Sequence, residues 1–131
     1  MEHAFGLATD FALGIEEELL LVEPATFRPA NIASEVVAAV APAHGEVTND
    51  LYEALIECST PIVADAPEGA EALAALREQL RDAGASFIGG GLHPDAAFGD
   101  VEHVPLARYQ AIRETMRGLV ARTPTAALPV H

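Results

Sequence analysis

The sequence predicts an α+β fold (a mixed α/β class) built on a largely antiparallel sheet packed by helices. Three observations carry that prediction. Residues 10–23 and 55–63 are apolar runs with strand-like alternation. Leu73, Leu76 and Leu80 recur at helical spacing, and a second amphipathic pattern follows at 105–122. The order is strand, helix, two strands, helix, strand, helix, strand, which mixes the two element types within one unit. At 131 residues, half of them hydrophobic, the chain has the length of one domain and the apolar content for a core.

The elements follow in order. In 10–23 (DFALGIEEELLLVE), Phe11, Leu13, Ile15, Leu19 and Leu21 share one parity. Ala12, Gly14, Glu16, Glu18, Leu20 and Val22 share the other. Both parities are substantially apolar, as in a central strand covered on two sides. Pro24 to Pro29 reads as a turn, and Asn31 to Ala41 as a short helix capped by Ser34 and ended by Pro42. Glu46 to Thr48 and Leu55 to Val63 read as strands, with Asn49-Asp50 as turn residues between them. Asp65-Ala66-Pro67-Glu68 has the marks of a helix start: a capping acid, then proline and acid in the first turn. Gly84 is a natural stop for that helix. Ser86 to Gly90 is a short apolar strand, and Gly91 to Val104 a loop. Pro105 to Arg122 is the second amphipathic helix, with Leu106, Tyr109, Ile112, Met116, Leu119 and Val120 on one side. Ala126 to His131 begins another strand.

Composition narrows the function. Seven Arg, no Lys and 20 acidic residues give a formal charge of −13. Such a surface repels phosphate backbones and anionic lipid, so nucleic acid and membrane surfaces are unsuitable partners. Without lysine there is no Walker A loop and no Schiff base. One cysteine allows no internal disulfide and no cysteine-built zinc site, which fits a reducing, cytoplasmic setting. No apolar run is long enough to span a bilayer, and no basic N-terminal region marks a signal peptide.

Gly14-Ile15-Glu16-Glu17-Glu18 is the unusual segment. Acids are depleted in strand interiors, and a buried unpaired carboxylate costs several kcal/mol. Glu16 and Glu18 leave the same face with Cα atoms about 6.6–6.8 Å apart. Their side chains can converge on a hard cation such as Mg²⁺, which needs few carboxylates because it keeps several waters. Glu17 points to the opposite face and needs an arginine or a backbone donor. Glu57, in Leu55-Ile56-Glu57-Cys58-Ser59-Thr60-Pro61, completes a three-carboxylate set if its strand lies beside the first. A solvated edge strand with acidic decoration is the competing interpretation. Glu46 and Glu53 read as solvated, and Cys58 as a small buried hydrophobe. Gly89-Gly90-Gly91 lets a ligand approach the backbone. His93, held extended by Pro94, is either a substrate contact or a loop histidine bonded to backbone. Arg108 offers a grip for phosphate or carboxylate, and His131 closes the last strand.

These residues together resemble the glutamate–cysteine ligase family 2, a group of carboxylate–amine ligases. Phe11 to Leu19 is similar to the family's opening acidic strand. Leu55 to Pro61 is similar to its second acidic strand ending in Thr-Pro. Gly91-Leu-His-Pro94 resembles its Gly-Thr-His-Pro loop, Arg108-Tyr109 its Arg-Tyr helix, and Ala127 to His131 its His-Val-His strand. The resemblance implies a glutamine-synthetase-like fold, of which 1–131 is the N-terminal part of a single catalytic domain. It implies an ATP-dependent enzyme that phosphorylates a carboxylate, typically the γ-carboxylate of glutamate, and lets an amine displace the phosphate with release of ADP. The cofactors implied are ATP and Mg²⁺, and the partners are amino acids and ATP. Glu16, Glu18 and Glu57 match the family's metal-binding acids, while His93, Arg108 and His131 are contacts to substrate or phosphate. Pro129 departs from the pattern, standing where the family has its first strand histidine. Family members are also much longer. Two other readings remain open: a truncated or complementing chain that completes its fold with another polypeptide or as a homo-oligomer, and a small acidic metal-binding module.

Overall fold

A computed structural model describes residues 11–97, 99–120 and 124–131. Among these lie β1 (Glu16–Leu21), α1 (Ala33–Ala39), β2 (Glu46–Asn49), β3 (Leu55–Ser59), α2 (Ala66–Asp82), β4 (Phe87–Ile88) and α3 (Ala107–Met116). The strands form an antiparallel sheet in the order β2-β3-β1-β4. This is the expected α+β class.

β1 is the central strand, as its doubly apolar pattern predicts. On one side it pairs with β3, Glu18 opposite Glu57 and Leu19 opposite Ile56. The other side is shared. Leu20 and Leu21 pair with β4. Lower down, the N–H groups of Gly14, Glu16 and Glu18 donate to the carbonyls of His131, Pro129 and Ala127 at 3.0–3.1 Å. The chain's last segment, expected to begin another strand, therefore runs antiparallel beside β1.

The odd-numbered face of β1 meets the helices. Leu19 and Leu21 pack with Val36 of α1, Val47 of β2, Ile56 and Cys58 of β3, and Leu76 and Leu80 of α2. α2 begins as its sequence predicts: the Asp65 side chain accepts from the Glu68 N–H at 2.9 Å, and proline occupies the first turn. It ends before Gly84, whose φ of +83° suits a residue without Cβ. Gly45 is glycine for two reasons, a φ of +77° and the Ser59 carbonyl oxygen, which a Cβ would strike.

Several boundaries differ from the sequence reading. Position 10 of the expected strand 10–23 lies outside the described residues; the rest contributes a regular ladder only at 16–21, with isolated bridges at Leu13, Ile15 and Val22 where the partner changes. The expected strand 55–63 stops at Ser59; Pro61 has no N–H to donate, and Val63 resumes pairing with Leu13. α1 is shorter than expected, and Ser34 does not cap it with its own side chain. Instead Glu53, expected to be solvated, accepts from the Ser34 N–H at 2.9 Å and from the Ser34 hydroxyl at 2.6 Å. The helix expected over 105–122 is α3 followed by a 3₁₀ turn, Arg117–Leu119, and residues 121–122 of that expectation lie outside the described residues. Of its predicted apolar side only Tyr109 and Val120 are buried; Leu106, Ile112, Met116 and Leu119 stay exposed because no layer of described residues covers them.

Candidate functional site

The even-numbered face of β1 carries Glu16, Glu18 and Leu20, beside Leu55, Glu57 and Ser59 of β3. Leu20, Leu55 and Tyr52 form a small apolar cluster at one end. At the other end the face is open, and there the carboxylates stand. The register places Glu18 directly opposite Glu57, so the two side chains leave one face as neighbours. Thr48 of β2 stands opposite Glu57 on the far side, its hydroxyl 3.4 Å from Glu57 Oε1.

Burial raises the Glu57 carboxyl above its ordinary value, with Glu16 and Asp50 adding repulsion. Burial does the same to Glu18, with an opposing hydrogen bond from the Ala127 N–H to Oε2 at 2.9 Å. Among the described residues none of Glu16, Glu18 and Glu57 forms an ion pair with arginine. Glu17, on the other face, behaves as its parity requires. It is buried and takes a two-pronged contact from Arg77 of α2, Nε to Oε2 at 2.7 Å and Nη2 to Oε1 at 2.5 Å. Of the three consecutive acids, the one facing the helices is paired with an arginine and the two facing outward are not.

These acids offer only hard oxygen donors. Among the described residues no three His, Cys, Asp or Glu side chains converge closely enough to enclose an ion by themselves. That arrangement fits Mg²⁺, which is commonly held by one or two carboxylates, waters and substrate phosphates rather than by a protein cage.

The remaining candidates divide. His131 reaches the site, its Nε2 3.4 Å from Glu16 Oε2. Arg108 also borders it. Its charge lowers the Glu57 carboxyl against the burial and repulsion that raise it, and its guanidinium stacks on the Tyr109 ring with 4.4 Å to the centroid. Arg108 donates to the Tyr109 hydroxyl, and both residues donate to the Asn49 carbonyl, Tyr109 at 2.7 Å and Arg108 at 3.3 Å. His93 is elsewhere in character. It is buried, with Nε2 2.7 Å from the Phe27 carbonyl and Nδ1 accepting from the Asp95 N–H at 3.1 Å. Both ring nitrogens are thus engaged inside the chain, and the residue anchors the loop after β4. Cys58 is fully buried, its thiol pushed up to about 12 chiefly by desolvation and then by the Glu17 charge. At that value the nucleophilic thiolate is scarce at neutral pH.

Sequence reasoning missed two neighbours of the site. Asp50 figured there only as a turn residue, yet its charge adds to the repulsion on both Glu18 and Glu57. Asn49 carries a buried side-chain oxygen with no partner among the described residues. The available signal was that β2 and β3 form a hairpin, so the residues ending β2 lie near Glu57.

The profile of glutamate–cysteine ligase family 2 (GCS2) matches residues 12–128. A protein of Rhodospirillum rubrum with the provisional name glutamate–cysteine ligase 2 is 34% identical over 92% of this chain and 34% of its own length. The glutamate–cysteine ligase of Haloferax volcanii is 32% identical over 91% of this chain and 35% of its own length. That of Haloquadratum walsbyi is 30% identical over the same shares. The chain spans about a third of the length of the curated relatives it matches. The match includes both acidic strands, the glycine loop and α3, and on it the chain belongs to glutamate–cysteine ligase family 2.

Proposed function

We propose that the chain is the N-terminal part of a catalytic domain that joins the γ-carboxylate of glutamate to an amine, such as that of cysteine, at the expense of ATP. In this reading the carboxylate is phosphorylated, the amine displaces the phosphate, and ADP is released. The observation that supports it most is the pair of facing, partly buried carboxylates Glu18 and Glu57, with Glu16 beside them and, among the described residues, no arginine paired with any of the three. Glu16, Glu18 and Glu57 would hold Mg²⁺, which, bound with ATP, supplies neutralisation of phosphate charge. Arg108 is the cation at the rim suited to a phosphate or carboxylate, steadied by Tyr109 and the Asn49 carbonyl. His131 lies against Glu16 and orients it. His93 acts through the loop it anchors. A cytoplasmic, reducing setting suits the unreactive Cys58 thiol.

The exposed apolar side chains of α3 support a companion reading, that further polypeptide covers this face, from the same chain type or a complementing one. Among the described residues no helix is long and apolar enough to cross a membrane.

The test is ADP release with glutamate and a panel of amines. It is run on this chain and on a chimera completed with the remaining two thirds of the Haloferax volcanii relative. Glu18→Gln and Glu57→Gln should each lower the chimera's turnover by at least about 10–100-fold, the loss common even for groups that only support metal ligands. Unchanged turnover in both variants would leave the acids as surface decoration.

A further inference from the structure

A cavity of about 290 Å³ opens at the far end of β1 from the acids. Its walls are Pro24 and Phe27 from the turn after β1, Arg81 from the last turn of α2, and Ala85, Ser86 and Phe87 leading into β4. Val22 completes the lining and lies four residues beyond Glu18, about 13 Å along an extended strand. None of Glu16, Glu18 and Glu57 borders this cavity.

Phe27 is costly where it stands. Its φ of +57° is left-handed, a conformation that a β-carbon disfavours and that glycine or asparagine more readily adopts. The residue is also 63% exposed. The hydrogen bonds of the turn do not need its ring. The Phe27 N–H donates to the Glu23 carbonyl at 2.8 Å, and the Phe27 carbonyl accepts from His93 Nε2 at 2.7 Å. Any residue but proline supplies both backbone groups. A strained backbone that holds an exposed aromatic ring at a cavity wall points to a use for the ring outside the fold.

The charge of the cavity runs against that of the chain. Twenty acidic residues leave the chain at −13, yet none of them lines these walls. Arg81 lies over the Phe87 ring, 5.1 Å from guanidinium carbon to centroid, and forms no ion pair among the described residues. The helix dipole favours a cation in the last turn of α2, but that effect needs only the charge and not a place at a cavity. Laid across Phe87, the guanidinium keeps its fork of donors for a carboxylate. The volume falls just below the roughly 300–1,000 Å³ of sites for drug-sized ligands, which leaves room for a single ring.

We propose that this cavity binds a small aromatic carboxylate, its acid group on Arg81 and its ring between Phe27 and Phe87. The site goes beyond the ligase reading and does not depend on it: it stands apart from the acidic face and offers aromatic walls and a cation in place of carboxylates.

The test is a nuclear magnetic resonance titration of this chain, following the amides of Phe27, Ser86 and Phe87. The probes are benzoate, benzamide, which keeps the ring without the charge, and acetate, which keeps the charge without the ring. Benzoate should shift these amides, and the other two should bind at least about tenfold more weakly, the loss expected when one charged hydrogen-bonded contact is removed. Arg81→Gln should weaken benzoate by a similar factor. Phe27→Asn, which suits a left-handed backbone, should do the same while melting no lower than the parent. Should either variant lose its dispersed spectrum, the other carries the comparison. Absence of benzoate-induced shifts, equal binding of benzamide or acetate, or shifts centred on Glu16 and Glu18 would overturn the proposal. So would a Phe27→Asn chain that melts lower yet keeps its benzoate response, since the ring would then serve the fold.

Discussion

Glu57 shows how a single side chain can be costly to the fold and useful to the site. It faces Glu18 across β1 and β3, and burial with its acidic neighbours raises its carboxyl above the ordinary 4.5. A carboxyl with a raised folded value favours folding in its neutral form. That contribution is complete below the unfolded value of about 4.5 and is lost as pH rises through the raised one. At neutral pH the residue therefore weighs against the fold. Like charges directly opposite on a sheet cost about 0.2–1 kcal/mol, so Glu57→Gln should raise stability by that amount without divalent ions. The variant should also flatten the loss of stability on moving from acid to neutral pH. Added Mg²⁺ should stabilise the parent chain and have little effect on Glu57→Gln, since an ion stabilises only a fold that binds it. Thermal melts with and without Mg²⁺ check all three; a variant less stable than its parent in chelator would contradict this account. Glu17 is the counterexample on the neighbouring strand. Its parity alone showed that it needed an arginine or a backbone donor, but the partner, Arg77, lies 60 positions along the chain and no local pattern names it.

At the scale of elements, α2 was the most legible and has the most to lose. Its cap, its proline and its leucine spacing are local features, each readable within a few residues. Leu76 is fully buried among β-strand and helix side chains, so Leu76→Ala should cost about 2–5 kcal/mol in a denaturant titration. Arg77 is about a third exposed at its side chain while Glu17 is mostly enclosed. Arg77→Ala should therefore cost about 2 kcal/mol, between the roughly 0–1 of an exposed pair and 3–5 of a buried one. A double-mutant cycle with Glu17→Gln separates the pair from lost packing; a coupling near zero would show the contact to be incidental. α3 was less legible. Its apolar spacing implied a buried side, yet Leu106, Met116 and Leu119 remain exposed, because periodicity reports which side chains share a face and not whether anything covers it.

For the whole molecule the governing influence is charge. A formal −13 spread over 131 residues repels itself, and two of the acids are held facing each other. Raising ionic strength from about 0.01 M to 0.15 M shortens the screening length from about 30 Å to 8 Å, so the metal-free chain should melt higher in the saltier buffer. A melting temperature that falls or stays fixed would mean that local ion pairs, such as Arg28 with Asp100, outweigh the global repulsion.

The sequence by itself determined the α+β class, the opposite facing of Glu17 from Glu16 and Glu18, and the start and buried stripe of α2. Each follows from a period of 2 or about 3.6 residues, a property of neighbouring positions. Only the tertiary structure decided that Glu57 stands opposite Glu18, that Glu53 holds the start of α1, and that His93 turns inward. It also laid residues 127–131 along β1, bringing His131 to Glu16 across 115 positions. Strand register and side-chain partnership arise between segments far apart in the chain, where the free energy of packing chooses among pairings that local pattern leaves equivalent.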